Sequence, residues 1–103
     1  DILLPMDEAL LLCAVDFGGR AYLGYQADIK ASRVGTFDTE LLEEFMQAFV
    51  RSAQINLHLK KLEGRNAHHI IEGAFKALAR ALRKALTQDE AIGNALPTTK
   101  GVF

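Results

Sequence analysis

The residues best suited to chemistry are His68, His69 and Glu72, which lie within five consecutive positions. On a helix, His68 and Glu72 are four apart and His69 and Glu72 three apart, so each histidine can reach the carboxylate. Adjacent histidines diverge by about 100° around a helix axis, so both cannot easily ligate one ion. The spacing favours two metal centres, or one metal with a second histidine in a supporting role. Imidazole and carboxylate ligands together suit zinc, iron or manganese.

Both histidines fall in the first turn of the predicted helix, where the positive end of the helix dipole disfavours imidazolium. Metal binding requires neutral imidazole, so this position favours ligand-competent histidine. Lys76 lies one turn beyond Glu72 on the same side, where it could meet an anion. An ordinary metal-free helix surface is nevertheless the commoner outcome of such spacing, so the pattern alone leaves both interpretations open.

Other polar residues are weaker candidates. The run from Thr98 through Lys100 offers hydroxyl, ammonium and backbone N–H donors that could cradle a phosphate. Arg20 follows two glycines and would ordinarily be an exposed turn residue. Glu44 would ordinarily belong to a solvated helix face, and His58 would be a solvated or hydrogen-bonded strand residue. None of these residues predicts a reaction by itself.

Composition excludes several classes of protein. The chain has 103 residues, of which 50% are hydrophobic and 24% charged, so it can bury enough apolar surface to order itself. A net charge of -1 gives no surplus for nucleic acid or an anionic membrane, and neither is an expected partner. Cys13 alone cannot form an internal disulfide. With no signal-like or membrane-spanning segment, we expect a cytoplasmic chain, and its start at Asp1 suggests part of a longer protein.

Two strands are predicted near the N-terminus. Ala9–Phe17 is apolar at both odd and even positions, so both faces of the predicted strand should be covered. We expect another domain or subunit to cover one of these faces. Two glycines then favour a tight hairpin into a second strand, Arg20–Ile29. Residues 30–35 are polar and are predicted to form a loop.

The remainder predicts a helix, a strand and a second helix. The first helix begins after an Asp38 cap and ends near Ala53, and alternation predicts a strand over Ile55–Leu62. The second helix runs from Asn66 to about Leu86, and residues 87–103 form an irregular tail. The order β-β-α-β-α predicts one α+β domain over 1–103, with both helices on one face of an open sheet. The expected core stripes are Leu41, Leu42, Phe45, Met46, Phe49 and Val50 on the first helix, and Ile71, Phe75, Leu78, Leu82 and Ala85 on the second.

Several segments together resemble one family. In order and with matching spacing, they are similar to the second half of imidazoleglycerol-phosphate dehydratase, and the likeness covers essentially the whole chain. The double-histidine segment followed by Phe-Lys-Ala is its most specific part. The segments are DEAL from Asp7, DFGGR from Asp16, FDTE from Phe37, NAHHIIE from Asn66, FKALARAL from Phe75 and TTKG from Thr98.

The resemblance implies a fold and a metal site. Family subunits consist of two similar halves of the ribosomal protein S5 domain 2-like type, and many subunits assemble with manganese between them. About two manganese ions are implied in each complete active site. The implied ligands are His68, His69, Glu72 and Glu44. The family usually has histidine at the position of Glu44, although a carboxylate also binds manganese.

The resemblance also implies a reaction, the dehydration of imidazole glycerol phosphate to imidazole acetol phosphate in histidine biosynthesis. Arg20, Lys76, Thr98 and Lys100 match substrate-holding residues, and Glu72 and Lys76 are the implied catalytic residues. The family's first half is missing, so this chain carries about half of each active site.

Three hypotheses therefore compete. The chain is a lyase half that needs its partner half, a self-assembling metal-binding domain without activity, or a structural interaction domain whose histidines bind nothing. The expected partners are the substrate and either other copies of the chain or the N-terminal half. Metal uptake separates the third hypothesis from the others, and a dehydratase assay separates the first from the second.

Overall fold

The computed structural model describes the backbone of residues 1–95 and the side chains of residues 1–88. The chain has the α+β fold that the sequence predicts, with three strands more than expected. The strands are β1 (Ile2–Met6), β2 (Ala9–Asp16), β3 (Tyr22–Gln26), β4 (Arg33–Val34), β5 (Phe37–Asp38) and β6 (Asn56–Glu63), and the helices are α1 (Glu40–Ala53) and α2 (Ala67–Ala95).

The main sheet has the strand order β1-β2-β6-β3. β2 pairs antiparallel with β1 and β6, whereas β3 pairs parallel with β6. The predicted hairpin at Gly18 and Gly19 is therefore wrong, because β6 lies between β2 and β3. The connection must cross two strand spacings, about 10 Å, which is too wide for a two-residue turn. Instead, the Gly18 amide donates to Asp16 Oδ1 (3.1 Å), and the Tyr22 amide donates to the carbonyl oxygen of Ile55 (3.1 Å).

The additional strands lie where the sequence lacks a long apolar run. β1 pairs with β2 along its length, and its Pro5, which has no N–H to donate, suits an edge strand. β4 and β5 form a small hairpin within and just beyond the predicted 30–35 loop. Gly35 turns this hairpin at φ +62°, a value that favours glycine.

The core lies between one face of the main sheet and the two helices. Leu4 pairs with Leu11 and Cys13 pairs with Leu59, so these buried side chains share that face. On α1 the buried stripe is narrower than predicted, because Leu41 and Phe45 are 44% and 43% exposed. The buried residues of α1 are Leu42, Met46 and Val50.

The predicted core stripe of α2 is displaced from the observed one. Small residues let this helix approach the sheet closely: a Cβ on Gly73 would lie 2.8 Å from Leu11 Cδ2. The larger Ile71, Phe75 and Leu82 pack only partly buried at the margin of the core. The positions of the largest apolar side chains therefore did not predict which face of α2 packs against the sheet. Among the side chains that the structure describes, the buried apolar ones of α2 are Ile70, Ala74, Ala77, Leu78 and Ala81.

The helix boundaries lie within about one residue of prediction, except at the end of α2. Thr39 directly precedes α1 but makes no side-chain capping bond. The predicted Asp38 supplies that bond, because its Oδ1 accepts the Glu40 amide at 3.0 Å, and α1 ends at Ala53 as predicted. α2 continues to Ala95, so the expected end near residue 86 is wrong. The apolar pattern weakens after residue 86, but no residue of helix-breaking type follows until residue 93. The rest of the predicted tail, residues 96–103, lies outside the described part of the chain.

The second face of the sheet carries apolar residues that no helix of residues 1–95 covers. Leu3 and Leu12 are paired on this face, and Leu3 is 57% exposed. The cover by another domain or subunit that the sequence predicts for this face stays a prediction. None of the helices in residues 1–95 is long and apolar enough to cross a membrane.

Candidate metal and substrate site

The start of α2 is tied to the turn between β1 and β2. Glu8 in that turn accepts the backbone N–H groups of Arg65 (2.9 Å) and Asn66 (3.0 Å) through Oε2. Its other oxygen, Oε1, lies 2.5 Å from His69 Nδ1. Asn66 caps the helix, because its Oδ1 accepts the His69 amide at 3.2 Å. One carboxylate therefore fixes both the backbone that precedes α2 and a predicted ligand in its first turn.

These contacts shift the pKa values of Glu8 and His69. Hydrogen bonds from the Asn66 amide, the His69 ring and the Arg65 amide lower the pKa of Glu8 to about 2. The hydrogen bond to Glu8 raises the pKa of His69, and the nearby charge of Asp7 acts in the same direction. This shift opposes the expected effect of the helix dipole, which favours neutral histidine. A metal ion would compete with any proton on this ring.

His68, Glu72 and Lys76 form a row along the exposed side of α2. His68 Nε2 lies 3.7 Å from Glu72 Oε1, and Glu72 Oε2 lies 3.7 Å from Lys76 Nζ. The predicted four-residue relations are confirmed. The rings of His68 and His69 are 6.3 Å apart between centroids and inclined by 70°, so they face different directions. Their divergence agrees with the prediction that they do not share one ion.

The predicted ligands do not converge within one chain. His68 and Glu72 line a concavity of about 270 Å³ with Val34 and Phe37, whereas Glu44 lines a separate acidic hollow on α1. Among the residues that the structure describes, no three His, Cys, Asp or Glu side chains are placed to hold one metal ion together. A complete metal site that uses these residues would therefore need ligands from beyond the described residues.

The predicted substrate residues are also dispersed. Arg20 follows the end of β2, whereas Glu8 precedes the start of that strand, so the length of β2, about 23 Å, separates them along the sheet. Lys76 is held by its ion pair on the same helix as the histidines. Thr98 and Lys100 lie outside the described residues.

Sequence reasoning missed Glu8 and Asp7 as site residues. Both belong to the DEAL segment, but nothing local shows that a turn near residue 8 meets a helix near residue 66. Asp7 adopts φ +51°, which turns the chain between the strands, and its Oδ2 lies 3.4 Å from His69 Nε2. Only the β1–β2 pairing beside α2 brings these residues together.

A four-stranded sheet backed by two helices, with paired histidines at one helix start beside a carboxylate turn, defines an α+β unit with a candidate metal site. The family model described as imidazoleglycerol-phosphate dehydratase matches residues 1–82. The chain belongs to this family, as its motifs suggest.

Individual relatives agree with the family model. The imidazoleglycerol-phosphate dehydratase of Ruegeria pomeroyi is 52% identical over 100 residues, which are 97% of this chain and 51% of the relative. The chloroplastic enzyme 1 of Arabidopsis thaliana is 49% identical over 103 residues, all of this chain and 38% of the relative. The chain thus spans about half of the first relative and less than half of the second.

Solved structures show the same fold. The crystal structure of the Staphylococcus aureus dehydratase matches with a TM-score of 0.77 and 48% identity, over 79% of this chain and 47% of the other. The Pyrococcus furiosus enzyme, in complex with (S)-C348, matches with a TM-score of 0.73 and 43% identity, over 80% and 46%. At these identities the likeness extends beyond general architecture.

Proposed function

We propose that this chain supplies half of the active site of a manganese-dependent dehydratase acting on imidazole glycerol phosphate in histidine biosynthesis, in the cytoplasm. The observation that carries the proposal is identity of about 50% to named dehydratases along the entire chain. The paired histidines of α2 lie within the matched region. Because the chain spans about half or less of those relatives, the rest of the active site would come from other copies of the chain or from the N-terminal half.

The donor set fits manganese. His68, His69, Glu72 and Glu44 offer imidazole nitrogens and carboxylate oxygens, which suit a divalent ion of intermediate hardness. His69 is already oriented by the carboxylate of Glu8, a common arrangement for metal-binding histidine. Since these ligands point apart within one chain, each chain would contribute them to different metal ions. Bound manganese would supply Lewis-acid polarisation and a template for the imidazole ring of the substrate.

The remaining residues would act directly on the substrate. Dehydration removes a proton from one carbon and hydroxide from the next, and the resulting enol becomes the ketone of imidazole acetol phosphate. Glu72 would carry the carbon proton, and Lys76 beside it holds a positive charge near the developing anion. Arg20, Thr98 and Lys100 would hold the substrate, the last two at its phosphate.

The test begins with the native mass and metal content of the chain, with and without manganese. Dehydration of imidazole glycerol phosphate is then assayed with and without the N-terminal half of a relative. We expect a manganese-loaded oligomer and turnover once the N-terminal half is added. Loss of metal and turnover in His68→Gln and His69→Gln, but not in His58→Gln, would assign the site. A metal-free monomer in excess manganese, inactive with the added half, would refute the proposal.

A second candidate function follows from the share of the relatives that the chain spans. A self-assembling, metal-binding half without catalysis needs only the ligands and an interface, both of which one repeated chain could provide. It predicts a manganese-loaded oligomer that remains inactive when the N-terminal half is added. The same two measurements therefore distinguish the candidates.

A further inference from the structure

We propose that Glu8 is a positioning residue that fixes the tautomer of His69, so that Nε2 is the ring nitrogen offered to a metal ion. The same carboxylate anchors the start of α2, which couples the orientation of the ligand to the formation of the helix. The inference about the metal rests on the proposed function, whereas the inference about the tautomer concerns the metal-free chain alone.

The two oxygens of Glu8 have different partners. Oε1 faces His69 Nδ1 at 2.5 Å, and Oε2 accepts the amides of Arg65 and Asn66. An ionised carboxylate only accepts hydrogen bonds, so the proton in the contact with the ring must lie on Nδ1. In neutral imidazole the lone pair then lies on Nε2, which is the nitrogen left for a metal.

The carboxylate is not free to turn away. The Arg65 and Asn66 amides precede α2, and Glu8 supplies their acceptor from a turn more than 50 residues earlier in the chain. Rotating the carboxylate toward another partner would break both bonds. His69 is correspondingly sheltered: its side chain is 29% exposed, against 64% for His68. Of the two histidines, His69 is therefore the one with a fixed orientation.

Nε2 has a more distant acidic neighbour than Nδ1 has. The nearest charged atom is Asp7 Oδ2, 3.4 Å away on a side chain that is 75% exposed. That distance is long for a hydrogen bond, so Asp7 does not engage Nε2 as Glu8 engages Nδ1. A cation at Nε2 would have Asp7 as a neighbouring negative charge.

Glu8→Gln separates tautomer control from helix anchoring. The carbonyl oxygen of glutamine can keep accepting the two amides, which places its NH₂ group against Nδ1. That NH₂ group donates to Nδ1, so the ring proton moves to Nε2 and blocks ligation there. Glu63→Gln changes a carboxylate at the end of β6, and Asp7→Asn changes the carboxylate beside Nε2; both leave the bond to Nδ1 intact.

The first measurement is ¹⁵N NMR of the metal-free, full 103-residue chain at about pH 9 and above, at a pH where the His69 ring signals no longer change with pH. The chain has three histidines, and His58→Gln and His68→Gln assign their signals. We expect His69 to carry its proton on Nδ1 in the native chain, in Glu63→Gln and in Asp7→Asn, and on Nε2 in Glu8→Gln. A native Nε2–H tautomer, or an unchanged tautomer in Glu8→Gln, would overturn the proposal.

The second measurement is manganese affinity, from the electron paramagnetic resonance of free Mn²⁺. Glu8→Gln is expected to bind manganese roughly 10–100 times more weakly than Glu63→Gln. Equal affinity despite a switched tautomer would overturn the role toward the metal. If the native chain binds no manganese, the proposed function fails, while the NMR result still decides the tautomer. A purely structural role predicts altered melting in Glu8→Gln and Glu8→Ala with no change of tautomer in Glu8→Gln.

Discussion

Gly64 lies in the short connection between β6 and α2, directly before the residues that Glu8 holds. It adopts φ +140°, a conformation that side chains of L-residues rarely accept. A Cβ there would lie 2.9 Å from Ala9 Cβ, 3.1 Å from Ala9 Cα and 3.2 Å from Ile70 Cγ1. Ala9 and Ile70 are both buried, so neither neighbour can move into solvent. We therefore expect Gly64→Ala to destabilise the chain.

The structure provides a matched control for the size of this effect. Gly35 also has a positive φ, +62°, but a Cβ there would meet nothing within 4 Å. Gly35→Ala should therefore cost only the left-handed backbone penalty, roughly 1–2 kcal/mol. Gly64→Ala adds the overpacking of a filled core, about 1–3 kcal/mol. Gly64→Ala should thus lose at least about 1 kcal/mol more than Gly35→Ala, out of a total of about 5–15 kcal/mol for a domain of this size.

Urea unfolding followed by circular dichroism measures both losses, and each kcal/mol should lower Tm by about 4–8 °C. A Gly64→Ala chain that fails to fold while Gly35→Ala folds would agree with the reasoning. Equal losses in the two variants, or a smaller loss for Gly64→Ala, would show that the contacts with the core relax without cost. The tight packing inferred at the start of α2 would then be incorrect.

Three further outcomes follow from the burial of particular side chains. Burial raises the pKa of Tyr25 to about 12, so in a Tyr22→Phe chain its ultraviolet titration should lie well above the ordinary value of about 10. Because the folded state holds that proton more tightly, stability should fall as pH rises from about 10 toward 12, and a Tyr25→Phe chain should lose this slope. Burial likewise raises the pKa of Cys13 to about 11. A disulfide reagent at neutral pH should therefore react with this thiol only as fast as the chain unfolds. Immediate reaction of the thiol would contradict its burial. Leu57 in the interior strand β6 is buried, so Leu57→Ala should lower the free energy of unfolding in urea by about 2–5 kcal/mol. Leu3 is 57% exposed, so Leu3→Ala should lower it much less. Similar losses in the two variants would refute the assigned sheet faces.

Local patterns predicted much of the secondary structure. The apolar periodicity located α1, β6 and the start of α2, because each pattern repeats within the element that it describes. The same periodicity correctly related His68 to Glu72 along one helix. It failed for β1 and β4–β5, which are held by pairing with other strands rather than by a pattern of their own.

The sequence by itself determined the α+β class, the family and the relative positions of the histidines and carboxylates within α2. These properties depend on residue order over a few helical turns or on motifs that can be compared directly. Only the tertiary structure decided the strand order, in which β6 separates β2 from β3, and the contact between Glu8 and His69. These features depend on which distant segments pack together when apolar faces are buried. Residue spacing within one segment does not show which other segment it will contact.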